Sequence, residues 1–158
     1  MSETYTKRQY NWAIHFKVEG GEMNISVTKE AGRVDVTVLR VEGQLDGQSY
    51  QDLIVKAKEL FNAGSRDFLL DLADLTYISS AGLVALHSVA LMLKGEEMPD
   101  TEQGWAAYRS MGRGSEAGLQ VHIKLLNPRE EVKSVLEMVG FDRVFEIFTD
   151  RDEAVKSF

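Results

Sequence analysis

Cysteine is absent from the 158 residues. That removes disulfides, thiolate nucleophiles and cysteine-bound metal in one step, and it fits a reducing compartment, so a cytoplasmic location is the expectation. No run of about 18 apolar residues exists, the length a membrane-spanning helix needs; the longest apolar region, Ala81 to Leu93, is interrupted by His87 and Ser88. The stretch from Met1 to Gly20 scatters Lys7, Arg8, His15 and Lys17 among aromatics without a continuous apolar core, so no signal peptide and no integral membrane segment are expected. Cations are in the minority: 18 Lys and Arg face 25 Asp and Glu, a formal net charge of -7. Nucleic acid, whose phosphates need clustered cations, is therefore not an expected partner; the acidic balance does not exclude a basic patch on another protein. His15, His87 and His122 lie far apart and show no ligand spacing; neither a metal nor a cofactor is expected. No internal repeat or low-complexity tract is present.

What is there reads as an α/β chain. Tyr10, Trp12, Ile14, Phe16 and Val18 alternate with Asn11, Ala13, His15 and Lys17, the period-two pattern of a strand with one apolar face. Gly20-Gly21 punctuates the chain, and Met23, Ile25 and Val27 begin a second strand. After the Ala31-Gly32 turn signal, Val34, Val36 and Val38 fall on one face and Thr37, Leu39 and Val41 on the other, which suits a central strand covered on both sides. Ser49, three residues before Asp52, is in a capping arrangement for a helix carried by Leu53, Ile54, Ala57, Leu60 and Phe61 and stopped at Gly64. Phe68 to Leu72 is a short buried strand, 74–81 a loop, and Leu83, Leu86, Ala90 and Leu93 a helix ending at Gly95. Residues 95–118, with five glycines and an acidic bias, read as a long insertion with a short helix around Trp105 to Met111. Val121 to Leu126 is a strand. Asn127-Pro128 places an N-cap and a first helical residue before the stripe Val132, Val135, Leu136 and Val139. Val144 to Phe148 is a last strand, and 149–152 caps a terminal helix. Alternating strands and helices imply a largely parallel sheet, with the early strands as an antiparallel edge.

The segment from Asp71 to Leu83 holds the most chemistry. A buried strand feeds a helix through Ser79-Ser80-Ala81-Gly82, and free N–H groups together with the helix dipole at such a mouth favour an anion. A phosphate on a serine there would be held by those groups and add close to two negative charges. The plain reading is a helix N-cap, worth about 1 kcal/mol; the two roles are compatible if the serines divide them. Elsewhere, Asp71 and Asp74 suit solvated or capping roles, with Leu72, Leu75 and Ile78 as the residues the loop buries. Ser80 with His87 is not a hydrolase signature, because no G-x-S-x-G surrounds it. Gly112-Arg113-Gly114 lacks the strand–helix context of a phosphate loop. Trp105 and Tyr108 suit a hydrophobic contact for the insertion ahead of an exposed partner anchor.

The run from Asp71-Leu72 to Tyr77-Ile78-Ser79-Ser80-Ala81-Gly82-Leu83 resembles the signature of STAS domains, and specifically of bacterial anti-sigma-factor antagonists. Val38 to Asp46, ending Gly43-Gln44-Leu45-Asp46, resembles the family's strand that closes on Gly-x-Leu-Asp. The resemblance runs over 23–158, the insertion 95–118 apart, with 1–22 as an extension bearing an added strand. It implies a small mixed sheet flanked by helices and a binding module with no enzyme activity and no catalytic residues. Its implied partners are an anti-sigma factor that is also a serine kinase, and a serine phosphatase that reverses the modification. Ser80 is the implied phosphoacceptor, with Ser79 as second choice. Asp46, Ser79, Ser80, Ala81 and Gly82 are the implied partner-binding residues.

This chain departs from the family pattern in having Ser79 where many members have Asp, and Ala81 where some have a second Ser. The added strand and the insertion motivate an alternative: a scaffold or assembly STAS protein, in a signalling particle or beside a lipid- or anion-transport system. A small enzyme is a third reading, for which no nucleophile–base pair or metal cluster speaks. The strand from Tyr10 to Val18 is also a candidate dimer contact, since exposed edge strands invite pairing.

Overall fold

A computed structural model describes residues 9–17, 23–96 and 119–158, with 9–17 described at the level of strand pairing. The strands are β1 (Gln9–Lys17), β2 (Met23–Ala31), β3 (Asp35–Leu45), β4 (Phe68–Asp71), β5 (Leu75–Ile78), β6 (Ile123–Leu126) and β7 (Ile147–Phe148). The helices are α1 (Tyr50–Asn62), α2 (Ser80–Leu93), α3 (Glu130–Met138) and α4 (Arg151–Lys156), with a 3-10 turn at Phe141–Arg143. The seven strands form one mixed sheet in the order β1-β2-β3-β4-β6-β7, with β5 pairing on β3. The pairs β1-β2 and β2-β3 are antiparallel, whereas β3-β4, β3-β5, β4-β6 and β6-β7 are parallel. The antiparallel edge and parallel centre match the expectation from the alternating pattern.

β3 is the spine. Val36 and Val38 belong to one apolar cluster and Leu39 and Val41 to the other, all at 1% exposure or less, so the two-faced pattern read from the sequence is a strand covered on both sides. The larger cluster gathers Leu53 and Ala57 of α1, most of α2, and Val132 and Leu136 of α3 over Phe68, Leu70, Ile123 and Leu125. Burying one such side chain contributes about 1.5–3 kcal/mol. On the opposite face, Ala154 and Val155 of α4 cover Val36, Val38, Leu69 and Leu126. Alternate residues of β4 and β6 therefore point to different cores, as the pleat requires. Gly32 makes room for α4, because a Cβ there would come within 2.8 Å of Val155 Cγ1 and 3.0 Å of its carbonyl oxygen.

Lys124 sits in the smaller core's rim, 4% exposed. Its ammonium donates to the Ser157 carbonyl at 3.0 Å and hydroxyl at 2.9 Å, pairs with Glu146 at 3.2 Å, and lies 4.8 Å from the centre of the Phe158 ring. Arg151 ties the start of α4 to β2 through Glu30 at 2.9 Å and Thr28 at 3.2 Å.

Several expected boundaries move. Residues 75–78, read as loop, form β5: Leu75 and Ile78 are buried while Thr76 and Tyr77 are exposed, a spacing with no period-two signal. Asn127 and Pro128 do not open α3. Asn127 takes a left-handed φ of 52° and the helix starts at Glu130 after Arg129. Val121 is 63% exposed, and β6 starts only at Ile123. Val144 and Phe145 are buried in the turn after Phe141–Arg143, leaving a two-residue β7. Val34 is exposed and precedes β3. The expected short helix at 105–111, Trp105, Tyr108 and most of the insertion lie outside the described residues.

Candidate functional site

Two sequence motifs meet where β5 pairs with β3. Gly43 stands opposite Leu75, Gln44 opposite Tyr77 and Leu45 opposite Ile78, with a register irregularity between Gly43 and Gln44. Gly43 has φ 96°, a backbone conformation that costs glycine nothing and other residues strain; its N–H donates to the Asp74 carbonyl at 3.0 Å. The strand end therefore bends over the β4–β5 turn, and Leu45 delivers Asp46 to the same end of the sheet at which Ile78 delivers Ser79 and Ser80. The Ser79 N–H donates to the Leu45 carbonyl at 2.9 Å, which joins the two segments directly.

The serines divide. Ser79 is the N-cap of α2, in extended backbone, and its hydroxyl accepts from the Gly82 N–H at 3.4 Å while its carbonyl accepts from the Leu83 N–H at 3.1 Å. Ser80 is the first residue of the helix and is exposed. With the Gly82 N–H taken by the cap, the N–H groups of Ser80 and Ala81 remain at the open end of the helix, where intrahelical partners are lacking and the dipole is positive. Gly82 is packed against the strand end: a Cβ there would meet Leu45 O and Ile78 Cγ1 at 2.7 Å each. Glycine is therefore what lets the first turn of α2 approach β3 and β5. Ala81 is half-buried beside it.

Asp46 organises its own turn. Its carboxylate oxygen Oδ1 accepts from the N–H groups of Gln48 at 2.9 Å and Ser49 at 3.2 Å, and its carbonyl accepts from the Tyr50 N–H at 2.9 Å. Ser49, expected to cap α1 with its side chain, makes no such bond. Its buried hydroxyl donates instead to the Gln44 carbonyl at 2.8 Å and accepts from the Asp46 N–H at 3.0 Å. Asp46 is thus half-buried and held by backbone bonds, with the exposed Gly47 and Gln48 at the tip of its turn.

Two features of this end escaped the sequence reading. Tyr77 exposes half its surface (51%) on β5 beside the serine loop; an aromatic in the middle of a polar-looking loop was its only signal. Asp74, expected to be solvated or capping, forms an ion pair with Arg40, which also pairs with Glu42 at 3.3 Å. The hydrogen bond to Asp74, more than any other contact, raises the Arg40 pKa further above its ordinary value. Asp71 accepts from the Ala73 N–H at 3.1 Å and so stabilises the β4–β5 turn.

His87 lies two turns along α2 from Ser80, and burial lowers its pKa below the ordinary histidine value, so it is neutral near pH 7. His122 contacts Asp67 at 2.9 Å, in a different part of the sheet. Among the described residues no group of three or more His, Asp or Glu is placed to hold a metal ion, and no helix is long and apolar enough to cross a membrane.

Residues 26–97 match the family model of the STAS domain. The match spans both meeting motifs, from β2 through α2, and the mixed sheet flanked by helices is the STAS fold. Solved structures extend the likeness of fold beyond that segment. An anti-sigma factor antagonist from Mycobacterium paratuberculosis aligns with 16% identity over 84% of this chain and 92% of its own, with a TM-score of 0.55. The anti-sigma factor antagonist SpoIIAA in its unphosphorylated form aligns with 18% identity over 82% of this chain and 92% of its own, at 0.50. A Thermotoga maritima protein proposed to be an anti-sigma factor antagonist aligns with 21% identity over 75% and 83%, also at 0.50. No curated protein matches the chain.

Proposed function

We propose that this protein is an anti-sigma-factor antagonist of the STAS type: it binds an anti-sigma factor that is also a serine kinase, and phosphorylation of Ser80 ends the binding. A serine phosphatase would restore it. The observation that carries this reading is the division of the serine pair. Ser79 is engaged as the cap of α2, whereas Ser80 presents an exposed hydroxyl at the same helix mouth, where a kinase can reach it. Asp46, Ser79, Ser80, Ala81 and Gly82 would form the partner-facing surface, with Tyr77 at its side. Asp46 contributes chiefly by shaping its turn, since its carboxylate is engaged with the backbone.

The energetics suit a switch. A standard interface buries about 1,600 Å² in total, and a phosphate dianion placed within one must be desolvated unless cations meet it. A loss of about 3 kcal/mol weakens binding more than a hundredfold. The reading is that of a cytoplasmic binding module working in transcriptional control, in which 23–158 form the STAS domain, 95–118 an insertion and 1–22 an extension. The chemistry is supplied by the partners, and the chain acts as substrate and ligand with no catalytic group of its own.

β1 favours a second reading, since it adds a strand to the sheet beyond the segment matched by the family model: a scaffold or assembly role in a signalling particle or beside a membrane transport system. Affinity capture from the native cell with wild type and Ser80→Asp side by side separates the two. The antagonist reading expects a kinase-type ATPase retained by wild type and lost with Ser80→Asp. Equal retention by both proteins of a large STAS assembly or a membrane complex would establish the scaffold reading in its place.

A further inference from the structure

The two edges of the sheet are unlike. β7 is a two-residue strand, the short kind of edge that resists pairing with other chains. β1 is nine residues long, contains no proline, and carries one formal charge, Lys17. Its inner side pairs with β2, and among the described residues its outer side pairs with no strand. A row of main-chain donors and acceptors on such an edge is a template for another strand. The sequence around it also stands apart electrostatically. From Thr4 to Val18 there is no Asp or Glu, in a chain that has 25 of them.

From these observations we propose that β1 is the pairing strand of a symmetric dimer of this chain, antiparallel about a twofold axis. A twofold axis passing through a residue always sets residues of equal parity opposite one another, and opposite residues in an antiparallel pair share a face. In β1 the even positions are Tyr10, Trp12, Ile14 and Phe16, and the odd ones Gln9, Asn11, Ala13, His15 and Lys17. Self-pairing therefore matches apolar with apolar and polar with polar, and the even positions prolong the row opposite Val27 and Ile25 of β2. A one-residue slip would break that match.

The register with β2 is regular over Ile14–Lys17 and shifts between Tyr10 and Ile14. The axis accordingly falls at His15, with Ile14 opposite Phe16 of the other copy and Lys17 two residues from the axis, so that no two lysines face each other. Two short strands bury less than the roughly 1,200 Å² of stable complexes, which makes the dimer concentration-dependent.

Sedimentation of the full chain from about 1 µM to about 500 µM tests this, the range being set by the weak affinity of small interfaces. The expected result is a rise from monomer toward dimer mass, weakened several-fold by His15→Asp, which sets two carboxylates on the axis. Because the chain has no cysteine, His15→Cys reports position as well. It should oxidise to a disulfide dimer at high concentration, while Val34→Cys, in the β2–β3 turn, does not. Monomer mass throughout, or equal crosslinking at both positions, overturns the proposal. A dimer that persists unchanged in His15→Asp, with secondary structure intact, overturns it too.

Discussion

Gly82 in the first turn of α2 lies against the main-chain carbonyl of Leu45 at the end of β3, close enough that a Cβ would reach the oxygen at 2.7 Å. The same carbonyl receives the Ser79 N–H at 2.9 Å. One backbone oxygen thus fixes both the cap and the approach of the helix that carries Ser80.

Gly82→Ala should therefore cost about 1–3 kcal/mol, the usual range for overpacking a filled site, since backbone as well as Ile78 must give way. Urea unfolding measures it. Gly47→Ala, where an added Cβ meets nothing within 4 Å, is the control and should lie within about 0.5 kcal/mol of wild type.

The serine pair should also separate in stability. Ser79→Ala removes the cap of α2 and should destabilise by about 0.5–1 kcal/mol, the lower part of the range for caps, because the bond to Gly82 N is long at 3.4 Å. Ser80→Ala, at an exposed position, should change stability by less than about 0.5 kcal/mol. Equal losses in chemical denaturation would mean that the cap is shared.

α4 has six residues, and helices shorter than about 12 residues are marginal in water on their own. Its persistence depends on the smaller core and on Lys124. Lys124→Met keeps the apolar stem but loses the contacts to Ser157 and Glu146. Hydrogen exchange should speed up over 151–157 and stay slow in α2.

Acid should weaken the fold in part through His87. Burial holds its folded pKa below the unfolded value, so as pH falls through the ordinary histidine range of about 6.5 the unfolded chain takes up a proton that the folded chain refuses. Stability is lost in that interval and the loss levels off below the folded pKa. Near neutral pH and above, the residue contributes nothing to the slope. Lys94 adds to the depression and Glu96 opposes it. His87→Gln should flatten the decline in stability between about pH 7 and pH 5.

Much of this architecture was legible in the chain itself. The two-faced alternation of 34–41 announced a central strand, and Gly43-x-Leu45-Asp46 and Ser79-Ser80-x-Gly82 were separately recognisable. That they meet was not legible, because the contact is made by β5, whose buried residues fall three apart and give no strand period. Asn127-Pro128 misled because proline suits a first helical turn, yet Asn127 turns left-handed and the cap falls two residues later. Ser49 had the right spacing for a side-chain cap, but the Gln44 carbonyl, buried at the strand end, claims its hydroxyl. Such competition for a donor depends on tertiary placement and leaves no local trace.

The most direct test of the central claim is phosphosite mapping of the chain after incubation with its captured kinase and ATP, coupled to binding of that kinase by wild type, Ser80→Ala and Ser80→Asp. The account predicts phosphate on Ser80, none on the folded Ser80→Ala protein, and binding that survives in Ser80→Ala but falls more than a hundredfold in Ser80→Asp, a loss of about 3 kcal/mol. Phosphate confined to Ser79 or absent altogether, with Ser80→Ala and Ser80→Asp binding alike, would contradict it.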